Sequence, residues 1–254
     1  MWAERMTARD VPETIGVRNP IDPELRIRAV LFDLDGTLYR QMPLRALMMM
    51  ELVALPFVAP RLAPQRLRAL SAYRRAQEEL RDQGAAEFVG VAQVQRAARE
   101  ANIPAQEVEA LVEEWMVRRP LKYLRRLRAA GLEEMLGFLD RRGVPAGVFS
   151  DYPAEAKIAA LGLSGRFSFA LSSSDPKIGA FKPHPRGFLR ACECFRLRPA
   201  EVLMVGDRAD TDAAGAAAAG MSCVIIGRGR SSGRHLVLPS FERLSRALDD
   251  RRTN

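Results

Sequence analysis

Aspartates recur in this 254-residue chain where a short apolar run has just ended. Asp33 and Asp35 follow Ala29-Val-Leu-Phe32, and Asp207, Asp210 and Asp212 follow Glu201-Val-Leu-Met-Val205 and Gly206. Ser150 and Asp151 follow Pro145-Ala-Gly-Val-Phe149, and Lys182 stands in Phe181-Lys182-Pro183. Side chains two apart on an extended segment point the same way, so Asp33 and Asp35 share a face. Gly36 lets the chain turn sharply after them. The oxygens of Asp33 and Asp207 are hard ligands that suit Mg²⁺, which takes only one or two carboxylates and keeps several waters. A metal there offsets the repulsion between an anionic phosphate and an anionic nucleophile. Asp33 can then attack phosphorus. Asp35 can protonate the departing alcohol and later deprotonate water, a role that requires it neutral when substrate arrives. Ser150 and the amides near it can hydrogen-bond phosphate oxygens, and Lys182 supplies positive charge to the transferring group. Thr37, Gly36 and Asp151 complete the residues expected to face a substrate.

Each piece alone has a plainer reading. Asp-x-Asp arises by chance in a chain of this length, and Ser150-Asp151 is a helix-cap signal. A Lys-Pro pair is commonly a surface loop. Acids ahead of an Ala-rich helix complement its dipole. Order and context join them: the pieces fall in sequence at the ends of segments that read as buried strands.

Those strands are Ala29–Phe32, Pro145–Phe149, Glu201–Val205 and Ser222–Ile226, with a weaker fifth at Phe167–Leu171. Continuous apolar runs of this length suit a parallel sheet covered on both faces. Helical patterns alternate with them at Ala154–Leu161, Pro185–Phe195 and Thr211–Ala219, the last ending at the natural C-cap Gly220. The expected fold is therefore α/β, a doubly wound parallel sheet whose ligands bind beyond the carboxyl ends of the strands. From about Pro43 to Arg142 no strand pattern occurs, and Pro56, Pro60, Pro64, Gly84, Pro104 and Pro120 punctuate helices. This predicts an all-helical insertion over 41–142, between core segments 27–40 and 143–248. An N-terminal extension (1–26) and a tail (249–254) flank them, and Pro239–Leu248 reads as a last helix. Asn102 or a neighbour is expected to cap a helix with acids in its first turn.

The chain is 48% hydrophobic and 28% charged, enough to bury a core and unlike a disordered sequence. No apolar run approaches the ~18 residues of a spanning helix. Three cysteines are too few for a disulfide framework. No signal-peptide apolar region opens the chain. These features predict a cytoplasmic protein, monomer or homodimer, with no membrane span. The net charge of +8 is scattered, and aromatics are only 7% of residues, so no nucleic-acid partner is expected.

At Phe32-Asp33-Leu34-Asp35-Gly36-Thr37-Leu38, Ser150, Lys182 and Gly206-Asp207-Arg208-Ala209-Asp210-Thr211-Asp212 the chain closely resembles the haloacid dehalogenase-like hydrolase superfamily. The match covers residues 27–40 and about 145–228. The resemblance implies a Rossmann-like core, Asp33 as nucleophile and Asp35 as general acid/base. It implies Mg²⁺ held by the Asp33 side chain, the Asp35 backbone carbonyl and Asp207. Asp212 looks like the second acid of the fourth motif, orienting Lys182 or a metal-bound water, with Asp210 competing for that role. An insertion at this point looks like the cap of the phosphoglycolate phosphatase-like branch, which closes over the core and selects substrate. Dehalogenase members lack the second aspartate of the first motif, because halide departs without a proton. Asp35 therefore favours phosphate esters.

Three departures matter. Relatives often carry Asn where this chain has Asp151, so that acid is expected to point toward the cap or solvent, or to meet a polar substrate group. Arg208 is expected in solvent rather than paired with Asp210. His184 reads as a loop residue, and Cys192 and Cys194 as core or surface thiols. The expected function is Mg²⁺-dependent hydrolysis of a phosphate monoester of a small metabolite through an aspartyl-phosphate. A phosphotransferase or phosphomutase would use the same intermediate. The Met-rich strip Leu44–Leu55 also suits a lipid-linked or isoprenoid phosphate. Dehalogenation and a decayed, non-catalytic phospholigand sensor fit less well, since Asp33, Asp35, Lys182 and Asp207 are all present.

Overall fold

A computed structural model describes residues 27–58, 63–84, 88–233 and 235–249. The expected extension 1–26 and the tail beyond Asp249 lie outside the described residues. Among the described residues six strands form one sheet: β1 (Ala29–Phe32), β2 (Ala146–Ser150), β3 (Ala170–Ser172), β4 (Val202–Gly206), β5 (Ser222–Ile226) and β6 (Leu236–Leu238). Their order is β3-β2-β1-β4-β5-β6 and every pairing is parallel. From β1 the chain winds out through β2 and β3, then crosses back and winds out the other way through β4, β5 and β6, so the direction reverses between β1 and β4. A crevice opens where the winding reverses, beyond the carboxyl ends of those two strands.

The strand periodicity sorts the core into two layers. Val30, Phe32, Val148, Leu203 and Val205 face α6 (Leu132–Arg141), α7 (Glu155–Ala160) and α10 (Phe241–Asp249). Ala29, Leu31, Phe149, Val202 and Met204 face α8 (Arg186–Phe195) and α9 (Ala214–Ala219). All of β1, β2 and β4 is buried, as continuous apolar runs require. Gly220 ends α9 at φ 79°, the expected left-handed cap. Two strand readings differ. Phe167 and Phe169 precede β3 rather than forming it, and their rings pack on Phe32 and Phe195. β6 was not anticipated, because three half-buried residues give too short a pattern.

The insertion holds α1 (Gln41–Val58), α2 (Ala63–Asp82), α3 (Val89–Ala101), α4 (Ala105–Val112) and α5 (Arg119–Leu127), with a π-helical stretch Glu113–Arg118 joining the last two. Pro120 has no N–H to donate and its ring crowds the preceding turn; the widened turn ahead of it accommodates both effects. Pro56 does not end α1 as expected. Asn102 does not cap α4 either. It closes α3 at φ 54° with its N–H on Ala98 and Arg99, while Pro104 takes the N-cap position and Glu107 sits in the first turn. The two connections to the core run side by side: Arg40 N–H bonds Leu127, Ala129 N–H bonds Leu38, and Tyr39 bridges to Arg128. α6, placed with the insertion by sequence because it is helical, instead packs Leu132, Met135, Leu136 and Leu139 on the sheet. No helix among the described residues is long and apolar enough to cross a membrane.

Candidate active site

Register brings distant acids together. Phe32 pairs with Val205, so Asp33 lies opposite Gly206 and next to Asp207; Asp33 N–H bonds the Val205 carbonyl at 2.8 Å. Phe32 also pairs with Val148, which carries Ser150, the last residue of β2, two residues beyond the end of β1. Gly36 turns at φ 105°, and a Cβ there would stand 2.1 Å from Asp207 Oδ2. The turn that sequence assigned to Gly36 is thus also the space that admits the Asp207 carboxylate.

Lys182 is the hub. Its Nζ lies 2.6 Å from Asp33 Oδ1 and 2.9 Å from Asp212 Oδ1. Asp212 Oδ2 accepts the N–H groups of Asp207 and Arg208, both at 3.2 Å. Thr37 Oγ1 donates to Asp33 Oδ2 at 3.0 Å. Asp212, not Asp210, is therefore the acid that meets the lysine. Asp210 faces outward and pairs with Arg208, correcting the expectation that Arg208 stands free.

One carboxylate oxygen from each of Asp33, Asp207 and Asp212 lies within 4.8 Å of the others. Three carboxylates against one ammonium leave two formal negative charges, the complement of a divalent cation. The electrostatics agree. Burial, with the nearby Asp212 charge, pushes the Asp207 carboxyl up to about 6. Burial, with Asp212 and Asp207, also raises Asp33 well above the ordinary range, against the pull of Lys182. Burial would lower Lys182, but Asp212 and Asp33 hold it above its usual value. Crowded acids lacking a full countercharge suit a hard cation with oxygen ligands.

Asp35 behaves differently. Lys157 Nζ lies 2.6 Å from its Oδ1 and Tyr39 Oη donates to the same atom. Burial alone would raise this carboxyl, yet Lys157 and Tyr39 outweigh it and hold Asp35 below the usual carboxylate range. At rest these two donors favour the charged form of Asp35, whereas the acid role is expected of the neutral form that meets substrate. Sequence reasoning missed Lys157, though a signal was present: a lysine interrupts the apolar stripe Ala154, Ile158, Leu161 of α7, all buried.

Ser150 is buried at the end of β2, where its Oγ accepts the Tyr152 N–H at 3.3 Å. Asp151 turns to the cap. Oδ2 accepts Arg81 Nη2 at 2.8 Å and Gln77 Nε2 at 3.2 Å from α2, and Oδ1 accepts Ser173 Oγ and the Lys182 N–H. Arg81 Nε also donates to the Lys182 carbonyl at 2.8 Å. Of the places open to Asp151, the structure selects the cap, and its four partners take up both oxygens that a substrate group would need. Arg81 and Gln77 were not singled out from sequence; they lie at four-residue spacing after Tyr73, on one stripe of α2. His184 accepts the Arg186 N–H in a loop, and Cys192 and Cys194 are buried and exposed thiols.

The family described as haloacid dehalogenase-like hydrolase matches residues 27–220. Among curated proteins, phosphoserine phosphatase of Thermus thermophilus is 41% identical over 73 residues, covering 29% of this chain and 28% of that protein. Glyceraldehyde 3-phosphate phosphatase of Pyrococcus furiosus is 35% identical over 105 residues, 40% of this chain and 42% of that protein. The chain thus matches well under half the length of these relatives. Among solved structures, a 2-haloacid dehalogenase from Pseudomonas syringae aligns with TM-score 0.62 at 23% identity, over 88% of this chain and 99% of that one. A phosphatase from Thermococcus onnurineus aligns with TM-score 0.61 at 24% identity, over 87% and 98%. At that identity both show the shared fold.

Proposed function

The chain belongs to the haloacid dehalogenase-like hydrolase family, and from that premise we propose that it is a Mg²⁺-dependent phosphatase of a small phosphate monoester, working through an aspartyl-phosphate. The observation that carries this reading is Lys182 Nζ bridging Asp33 and Asp212, with Asp207 inside the reach of one cation. Both relatives named above are phosphatases, of phosphoserine and of glyceraldehyde 3-phosphate. Asp35 supports phosphate over halide chemistry, because an alkoxide leaves poorly without a proton.

Asp33, Asp207 and the Asp35 carbonyl would hold the ion, which offsets charge between nucleophile and phosphate. Lys182 and Thr37 fix the two oxygens of Asp33. Lys182 and Ser150 meet the phosphoryl oxygens, whose transfer depends mainly on positioning and charge. Asp33 attacks phosphorus and the ester oxygen departs. Asp35, a carboxylate at rest, takes the proton of the ester's monoanion, whose second ionisation lies near 6. It passes that proton to the departing alcohol, then removes one from the water that hydrolyses the adduct. The cap, tied to the floor through Arg81 and Asp151, excludes bulk water.

The test is phosphate release from a panel of phosphorylated metabolites by the full chain with Mg²⁺. Activity abolished by chelator and lowered at least about a thousandfold in Asp33→Asn is expected. No release from any ester, or full activity in Asp33→Asn, would overturn the reading.

A further inference from the structure

Asp35 receives two donors on one oxygen. Lys157 Nζ and Tyr39 Oη both take Oδ1, and among the described residues no hydrogen bond uses Oδ2. The donors come from independent parts of the fold. Tyr39 lies four residues on, where its backbone bridges back to Asp35, and Lys157 comes from α7. Both are deeply buried, Tyr39 2% exposed and Lys157 7%. An ammonium group beside Ile158 and one turn from Ala154 and Leu161 is buried at a cost that a specific anion must offset. Lys182 already answers the charges of Asp33 and Asp212, so the second lysine is dedicated to Asp35.

The terminal torsion of an aspartate is broad and nearly two-fold, so an unrestrained carboxyl presents either oxygen. Two donors on Oδ1 remove that freedom and leave Oδ2 as the oxygen that meets the leaving group. We infer that Lys157, assisted by Tyr39, is the positioning residue for the proton transfer at the leaving oxygen and takes no part in binding the phosphoryl group. This rests on the phosphatase reading with Asp35 as acid/base. In the step itself the P–O bond to the alcohol breaks, its electron pair stays on oxygen, and the proton carried on Asp35 Oδ2 joins that oxygen.

The consequence depends on the leaving group. An alkyl oxygen needs the proton, whereas a dinitrophenolate departs without it. kcat/KM covers only the steps up to departure of the alcohol, so it isolates this transfer. The experiment measures kcat/KM for glycerol 2-phosphate and for 2,4-dinitrophenyl phosphate, with Mg²⁺, in the wild type, Lys157→Met, Lys157→Arg and Tyr39→Phe. Lys157→Met should lower the alkyl ester by at least about tenfold and the aryl ester by less than about threefold. Lys157→Arg should recover most of the alkyl rate, and Tyr39→Phe should shift the ratio the same way by less. A variant ratio equal to the wild-type ratio, whether both rates fall or neither does, overturns the proposal by reducing Lys157 to a structural part. Should Lys157→Met fail to fold, the ratio in Tyr39→Phe decides, and an unchanged ratio there overturns it. Where the wild type does not take glycerol 2-phosphate, the alkyl ester it hydrolyses best in the panel replaces it; a wild type inactive on every ester overturns the phosphatase reading and this proposal with it, and an active wild type with an unchanged ratio in the variants strikes the proposal alone.

Discussion

At the carboxyl edge of the sheet, charged side chains are buried against one another; in the cap they lie outside, and alanines fill the inside. Lys182, Asp33, Asp212 and Lys157 are all under one-tenth exposed. The cap interior is built on Ala69, Ala72, Tyr73, Ala97, Ala98 and Ala101, while pairs such as Arg75–Glu100 and Arg118–Glu114 stand in solvent. Removing one partner of a buried ion pair is far costlier than removing one of an exposed pair. The floor therefore tolerates little change, and the roof can be altered almost freely apart from the few groups that touch the floor.

The largest effect should come from Asp212→Ala. It strips Lys182 of one of its two carboxylates and leaves two backbone N–H groups without their acceptor. A loss of about 3–5 kcal/mol in urea unfolding is expected. A loss under about 1 kcal/mol would show that the buried network does not behave as one unit. Next comes Gly36→Ala, whose Cβ would collide with Asp207 Oδ2. Mg²⁺ affinity, read from the shift of the thermal midpoint with added metal, should fall at least about tenfold. Gly84→Ala in the cap is the matched control. Its φ is also positive, at 79°, but nothing among the described residues stands within 4 Å, so backbone strain should appear without any change in metal response.

The same contrast explains what could be read in advance. Strand ends are legible because a parallel sheet sets its polar residues where apolar runs stop, and Asp33, Ser150 and Asp207 obey that rule, whereas Lys182 stands in the loop between β3 and α8. The choice between Asp210 and Asp212 was not legible, because both precede the same helix. The widened turn Ala209–Ala213 then aims Asp212 inward and Asp210 out. Lys157 is marked only by its place in the apolar stripe Ala154, Ile158, Leu161, and its partner Asp35 depends on how α7 docks. Arg81 and Gln77 depend on how a helix from the insertion meets a loop from the core, a long-range packing event with no local pattern.

Arg81→Met probes that seam. It removes two hydrogen bonds across the boundary, to Asp151 and to the Lys182 carbonyl, and leaves Asp151 its bonds to Gln77, Ser173 and the Lys182 N–H. Stability should fall by about 1–2 kcal/mol. Because the cap is then held less firmly over an intact floor, kcat/KM should fall roughly tenfold by loss of closure. A drop comparable to that of Asp33→Asn would mean that roof and floor are not separable after all.

The smallest effect belongs to the outer face of the cap. Glu51 on α1 accepts Arg119 Nη1 at 2.8 Å, Lys122 Nζ at 2.8 Å and Tyr123 Oη at 2.6 Å from the end of the insertion. Burial would raise its carboxyl, but Lys122, Tyr123 and Arg119 together bring it down to about 2. A carboxyl held below its unfolded value lends stability above the unfolded range, near 4.5, and loses it as pH falls toward 2. Arg119 and Lys122 are 37% and 55% exposed, so solvent screens the pairs and the gain stays under about 1 kcal/mol. Glu51→Gln should therefore lower the thermal midpoint slightly at pH 6, and the gap to the wild type should narrow as pH falls below about 4.5 and close only near pH 2. Rates on any ester should stay unchanged, because this cluster bonds nothing on the sheet edge. A gap as wide near pH 2 as at pH 6 would place the contribution of Glu51 in packing rather than charge.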